Sequence, residues 1–72
     1  MSTNEIRTVT VGRAPHNEIV ISNPSVSSKH AVFNIENDKI TLEDVGSTNG
    51  TFVNEKKIIS ITVKQTDKIN FG

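Results

Sequence analysis

Cysteine, tryptophan and tyrosine are absent from this chain of 72 residues, and three phenylalanines are its only aromatic residues. Without cysteine, the chain can form neither disulfide bonds nor thiolate metal sites. With so few aromatic side chains, the hydrophobic core must consist mainly of isoleucine and valine, which favour β-strands. A chain of this length holds one domain at most, so we expect residues 1–72 to form a single domain.

A basic surface is also missing, because eight Lys and Arg residues balance eight Asp and Glu residues. Domains that bind nucleic acid usually carry a basic face, so this balance argues against a nucleic-acid partner. No apolar run approaches the roughly 18 residues of a membrane span, and residues 1–7 lack the blocks of a signal peptide. We therefore expect no membrane contact by this domain and a cytoplasmic location.

Alternation of apolar and polar residues with period two dominates the sequence, and no stretch of ten residues keeps a helical period. Residues 31–44 alternate on both sides of Asn37-Asp38, whose side chains favour turns, and are predicted to form a β-hairpin. A second turn is predicted at Asn54-Glu55. Residues 18–21 form a short apolar run that suits a strand covered on both faces. Together these patterns predict an all-β fold, a small sandwich or barrel of mostly antiparallel strands.

Three segments between the predicted strands are long and rich in Ser, Thr, Asn and Gly: residues 12–17, 22–29 and 45–51. On a rigid β scaffold, such loops commonly carry the function. Arg13 offers a planar fork of donors that suits phosphate oxygens, and nearby hydroxyl groups can complete the shell around an anion. An asparagine side chain both donates and accepts, so it can also pair with the backbone of an extended peptide. In combination, these loops indicate an anion-binding site.

The order of these motifs resembles the forkhead-associated (FHA) domain, a β-sandwich that binds phosphothreonine. The matching segments are Gly12-Arg13, residues 17–21, residues 26–31, residues 42–54 and residues 69–72. The resemblance covers nearly the whole chain from Val9 onward and implies that residues 1–72 are the core of one such domain. Both flanks are shorter than the family pattern, so the edges of the sandwich are expected to be truncated.

The resemblance also implies a role for each matching residue. The implied phosphopeptide-binding set is Arg13, Ser27, Ser28, Thr48 and Asn49. Within it, the arginine and the first serine grip the phosphate, the threonine supplies a second hydroxyl, and the asparagine bonds the peptide backbone. The implied supporting set is Gly12, His30 and Gly50, in which the histidine braces the loops and the glycines provide room or unusual backbone angles.

Ser25 falls where some relatives select the third residue after the phosphothreonine. Because its side chain is short and neutral, we expect no strong selection of charge at that position.

These residues predict a non-enzymatic module that recognises a phosphothreonine-containing protein or peptide and needs no cofactor or metal. Catalysis by Ser27 or Ser28 with His30 as base lacks a third orienting group and any nucleophile-elbow motif. A metal site is disfavoured because His16 and His30 lie on separate segments with no carboxylate at ligand spacing. The remaining alternative is an FHA-fold scaffold that binds an unphosphorylated partner. Truncated sheet edges would permit such pairing, including self-association.

Overall fold

A computed structural model describes residues 6–72, which form eight β-strands and no helix. None of the described residues therefore lies in a helix long and apolar enough to cross a membrane. The strands are β1 (Ile6–Gly12), β2 (Ile19–Val20), β3 (Ala31–Glu36), β4 (Lys39–Asp44), β5 (Thr51–Val53), β6 (Lys56–Ile58), β7 (Ser60–Val63) and β8 (Ile69–Phe71). The predicted all-β fold is confirmed.

The strands form two sheets that pack face to face. One sheet has five strands in the order β2-β1-β3-β4-β7, and the other has three in the order β6-β5-β8. All pairs are antiparallel except β1 with β2. The fold is thus the predicted sandwich of mostly antiparallel strands.

The predicted hairpin at residues 31–44 consists of β3 and β4. Phe33 lies opposite Leu42 and Ile35 lies opposite Ile40, so apolar side chains of both strands share the inner face. Asn37 adopts a positive φ of 55° in the turn, a conformation that asparagine tolerates better than most residues. Local alternation and turn chemistry therefore produce this hairpin.

The core lies between the sheets, around the fully buried Leu42 of β4. Leu42 forms a buried cluster with Ala31 of β3 and Val53 of β5, and Phe71 of β8 packs against this cluster. Because the five-stranded sheet is wider than its partner, part of its inner face is left uncovered. Val9 and other apolar residues there line an open groove of about 430 Å³.

The expectation that residues 18–21 form a strand covered on both faces was wrong. Only Ile19 and Val20 form a strand, and they are 41% and 45% exposed. Among the described residues, β2 pairs with β1 alone and is the outer strand of its sheet. An apolar run does not reveal whether other layers pack on both faces of a strand, and within residues 6–72 β2 lies at the edge of its sheet with both residues partly exposed.

The β5–β6 turn offers a test of local backbone strain. Asn54 and Glu55 have φ angles of 52° and 71°, so both central residues are in the left-handed region that a two-residue type I′ hairpin turn requires. We predict that Glu55→Gly raises the free energy of unfolding by about 0.5–1 kcal/mol, because glycine adopts this conformation without steric cost. Urea unfolding measures the change.

Glu55→Ala is the matched control, since it removes the same side chain but keeps a β-carbon at positive φ. It should give no such stabilisation. Equal stabilisation by both variants would show that the glutamate side chain, rather than the backbone, is the source of the strain.

Candidate functional site

The first loop packs tightly on the second because Gly12 has no side chain. Gly12 ends β1 and is buried, and a β-carbon built on it would lie 2.1 Å from the carbonyl oxygen of Ser28. The next residue, Arg13, donates its backbone N–H to the carbonyl oxygen of Ser27 at 2.9 Å. Since no real β-carbon fits at 2.1 Å, only glycine lets the two loops approach this closely.

Asn17 fastens the same two loops with its side chain. It is only 6% exposed, and its Nδ2 donates to the carbonyl oxygens of Ser28 at 2.7 Å and Ala14 at 2.8 Å. The sequence placed Asn17 within a family-matching segment but gave it no role. The contact joins residues eleven positions apart, so it depends on how the loops pack.

His30 connects the second loop to the third. The ring is fully buried, Nδ1 accepts the backbone N–H of Ser27 at 3.1 Å, and Nε2 lies 2.8 Å from the carbonyl oxygen of Gly50. Since a backbone N–H can only donate, Nδ1 must be the acceptor, and Nε2 therefore carries the proton. The edge of the ring also contacts Phe71, with the ring centroids 5.6 Å apart. The arrangement permits one neutral tautomer and fixes both loops to the core.

The structure brings Ser27 and Thr48 together at the surface. Ser27 Oγ accepts the backbone N–H of Thr48 at 3.0 Å, and the two hydroxyl oxygens are 3.5 Å apart. Asn49 lies beside them and donates from Nδ2 to the carbonyl oxygen of Ser25 at 2.8 Å. Ser28 is exposed next to Ser27, and its carbonyl oxygen is engaged by the first loop. Residues from three separate loops thus meet at one end of the sandwich.

Asp44 organises the third loop, a role that was not predicted from the sequence. Its carboxylate accepts the backbone N–H groups of Gly46 at 2.8 Å and Ser47 at 3.0 Å, the Ser47 hydroxyl, and the Thr51 hydroxyl at 2.8 Å. Ser47 Oγ in turn accepts the N–H of Gly50 at 3.0 Å. Aspartate commonly caps the backbone amides two and three residues later, so the Asp-x-Gly-Ser sequence was the available signal.

These hydrogen bonds also set the charge state of Asp44. Partial burial raises its pKa, but hydrogen bonds from the hydroxyl and N–H of Ser47, the hydroxyl of Thr51 and the N–H of Gly46 outweigh that effect. Together they lower the pKa to about 2. The carboxylate is therefore ionised at neutral pH and holds the loop as an acceptor only.

Gly50 completes the third loop with a φ of 93°, which side-chain-bearing residues rarely adopt. Its carbonyl oxygen meets both Nε2 of His30 and the backbone N–H of Gly72, the latter at 3.0 Å. The expected conformational role of this glycine agrees with its geometry.

Arg13 is exposed at this end of the sandwich and has no acidic partner in the described part of the chain. Within residues 6–72, the one ion pair joins Arg7 to Glu18, with 3.7 Å between the charged atoms. Its backbone is hydrogen-bonded to Ser27, whose hydroxyl lies beside that of Thr48, so an exposed guanidinium without an acidic partner among residues 6–72 belongs to the same end of the sandwich.

The same geometry disfavours the catalytic alternative. Both ring nitrogens of His30 are committed to backbone groups, and Nδ1 faces the N–H of Ser27 rather than its hydroxyl. A general base must reach the proton that it removes, and this histidine does not. Residues 6–72 also contain no group of three or more side chains suited to hold a metal ion.

Comparison with known proteins agrees with these features. The family model for the FHA domain matches residues 9–72. The chain belongs to the FHA domain family. The family predicted from the motifs is thereby confirmed.

Three relatives illustrate the match. The glycogen accumulation regulator GarA of Mycobacterium tuberculosis is 38% identical over 61 residues, which cover 85% of this chain and 38% of that protein. The oxoglutarate dehydrogenase inhibitor of Corynebacterium efficiens is 38% identical over 65 residues, 90% of this chain and 46% of that protein. The chain therefore spans less than half the length of either relative.

The third relative is a solved structure, the N-terminal FHA domain of Rad53p from S. cerevisiae in complex with a phosphothreonine peptide. It has a TM-score of 0.83 and 28% identity and covers 99% of this chain and 61% of that chain. The predicted kind of function, binding that depends on phosphorylation, is thus documented within the family.

His30 provides the first test of the site's construction. His30→Ala should lower the free energy of unfolding by about 2–4 kcal/mol, because it leaves a cavity and removes two hydrogen bonds to the binding loops. Urea unfolding measures this loss. His16→Ala is the control, since His16 is exposed in the first loop and should change stability little. Similar losses in both variants would contradict a bracing role for His30.

The lowered pKa of Asp44 predicts that the domain loses stability in acid. Because its pKa is about 2 in the folded chain, below the unfolded value of about 3.9, its contribution is fully present above about pH 5. The contribution is lost as the pH falls towards 2. Asp67, whose pKa is lowered by a hydrogen bond from the Asn54 side chain, titrates in the same direction.

Urea unfolding at several pH values tests this prediction. Asp44→Asn should reduce stability at neutral pH and flatten, without abolishing, the decline below pH 5. Asp38→Asn is the matched control, since Asp38 is an exposed turn residue. An undiminished acid-dependent decline in Asp44→Asn would contradict the role assigned to this carboxylate.

Proposed function

We propose that this domain binds an extended protein segment that contains phosphothreonine, through Arg13, Ser27, Ser28, Thr48 and Asn49. The proposal rests on the convergence of three loops at one end of the sandwich. There an exposed arginine with no acidic partner among residues 6–72 is bonded through its backbone to Ser27, whose hydroxyl lies beside that of Thr48. Such a site is prepared for an anion before the anion arrives, so little ordering free energy is lost on binding.

The phosphate supplies the negative charge that pairs with the Arg13 guanidinium. A phosphothreonine carries about −1.5 to −2 charge at neutral pH and offers three strong acceptor oxygens. The Arg13 guanidinium can donate two hydrogen bonds to it, and the hydroxyls of Ser27 and Thr48 can donate further ones. Each charge-assisted hydrogen bond is worth about 1.5–3 kcal/mol, which after the cost of association is consistent with about micromolar affinity.

Asn49 is suited to hold the backbone of the peptide. Its Nδ2 already donates to Ser25, which fixes the orientation of the amide group. The Oδ1 atom and the second hydrogen on Nδ2 can then pair with a backbone N–H and a carbonyl of an extended segment.

The proposed role is regulatory binding in the cytoplasm rather than catalysis. The names of two relatives, a glycogen accumulation regulator and an oxoglutarate dehydrogenase inhibitor, describe proteins that control other proteins or processes. The proposed partner of this domain is likewise a phosphothreonine-containing protein. Neither a nucleic acid nor a membrane is required.

Arg13→Ala tests the proposal directly. Binding of a degenerate phosphothreonine peptide library, measured by fluorescence anisotropy, should become undetectable because the phosphate loses its only guanidinium partner. The unfolding free energy should stay within about 0.5 kcal/mol of the wild-type value, as for other exposed side chains.

Arg7→Ala is the matched control, because it removes the same charge from the opposite end of β1. It should leave binding nearly unchanged. Wild-type binding by Arg13→Ala would refute the proposed site. Equal binding of phosphorylated and unphosphorylated libraries would instead favour a scaffold that recognises an unphosphorylated partner.

A further inference from the structure

Lys57 lies on the outer face of the three-stranded sheet, next to the third loop. In the register of β6, β5 and β8, Lys57 is opposite Phe52, which is opposite Asn70. A β-carbon built on Gly50 would lie 3.1 Å from Cε of Lys57 and 3.3 Å from Cε1 of Phe52. The lysine side chain therefore passes close to Phe52 and Gly50, and Gly50 directly follows Asn49 in the third loop.

The ammonium group of Lys57 has no carboxylate partner in the part of the chain that the structure describes. Lys57 is exposed, and in residues 6–72 the one pair of opposite charges within 4 Å is Arg7 with Glu18. Gly50 immediately follows Asn49, the residue proposed to hold the peptide backbone. An exposed cation with no acidic partner among residues 6–72 therefore lies beside the loop that carries Asn49.

Two other cations of the loops, Arg13 and Lys29, are placed differently from Lys57. Arg13 is committed to the phosphate in the proposed function. Lys29 lines a separate shallow pocket together with Thr10 and Val32 of the five-stranded sheet. On the other side of Asn49, Ser25 is neutral and its hydroxyl is bonded to the side chain of Asn23.

We propose that Lys57 makes the domain prefer phosphopeptides with an acidic residue near the phosphothreonine, an inference that rests on the proposed function. Gly50 is two residues from Thr48, and an extended peptide advances about 3.3 Å per residue. Because Lys57 lies beside the residue that follows Asn49, it is placed to pair with a carboxylate on a residue near the phosphothreonine. In this proposal Lys57, and not Ser25, selects for negative charge on the peptide.

The effect should be modest, because both charges are exposed to solvent. Ion pairs at exposed sites change affinity by about 2–5-fold, and salt screens them. The predicted preference for an acidic residue should therefore shrink as the ionic strength rises.

Positional peptide libraries provide the test. Phosphothreonine libraries carry either Asp or Asn at one flanking position in turn, with all other positions degenerate, so that charge changes while shape is kept. At one position or two neighbouring positions, the wild-type domain should bind the Asp library about 2–5-fold more tightly than the Asn library. Lys57→Gln should reduce this ratio to about 1.

Lys56→Gln is the matched control. Lys56 precedes Lys57 on β6 but pairs with Val53, so it belongs to the opposite face of the sheet. This variant should keep the wild-type ratio. A ratio near 1 at every position, a ratio unchanged in Lys57→Gln, or an equal loss in both variants would overturn the inference.

The design separates this inference from the proposed function. Binding of the phosphorylated libraries without any preference for Asp would overturn the role of Lys57 alone. Failure of a folded wild-type domain to distinguish phosphorylated from unphosphorylated libraries would overturn both.

Discussion

The buried imidazole of His30 is the contact on which the binding end of this domain depends. One ring nitrogen accepts the N–H of Ser27 and the other donates to the carbonyl of Gly50, while the ring edge contacts Phe71 in the core. The two loops that carry the proposed phosphate-binding hydroxyls are therefore fixed to each other and to both sheets. Because both nitrogens are occupied by backbone groups, the histidine serves as a structural bridge and leaves the ligand to other residues.

The other supporting contacts act mainly on the backbone in the same way. Gly12 allows the first loop to touch the second, Asn17 bonds the carbonyl groups of both, and Asp44 gathers the amides at the start of the third loop. Gly12 and Asn17 are buried and Asp44 is partly buried, whereas Arg13, Thr48 and Asn49 are exposed. This division lets a domain with zero net charge create a local anion site, since the positive charge is needed only where the loops converge.

The sequence predicted those features that depend on local pattern. The β3–β4 hairpin followed from alternation around Asn37, and the loop motifs identified the family because their order and spacing are specific. Contacts that depend on register or packing were not predictable in this way. Lys57 lies beside Gly50 only because β6 pairs with β5 in one particular register. Within residues 6–72, Ile19 and Val20 are exposed because β2 is the edge strand of its sheet, a position that their apolar character does not reveal.

A titration of isotope-labelled domain, followed through backbone amide shifts, tests the central claim most directly. The titrants are a degenerate phosphothreonine peptide library and its unphosphorylated counterpart. The account predicts shifts centred on Arg13, Ser27, Ser28 and residues 47–50, and only with the phosphorylated library. Equal responses to both libraries, or phosphate-dependent shifts centred on the apolar groove lined by Val9 and Phe33, would contradict it.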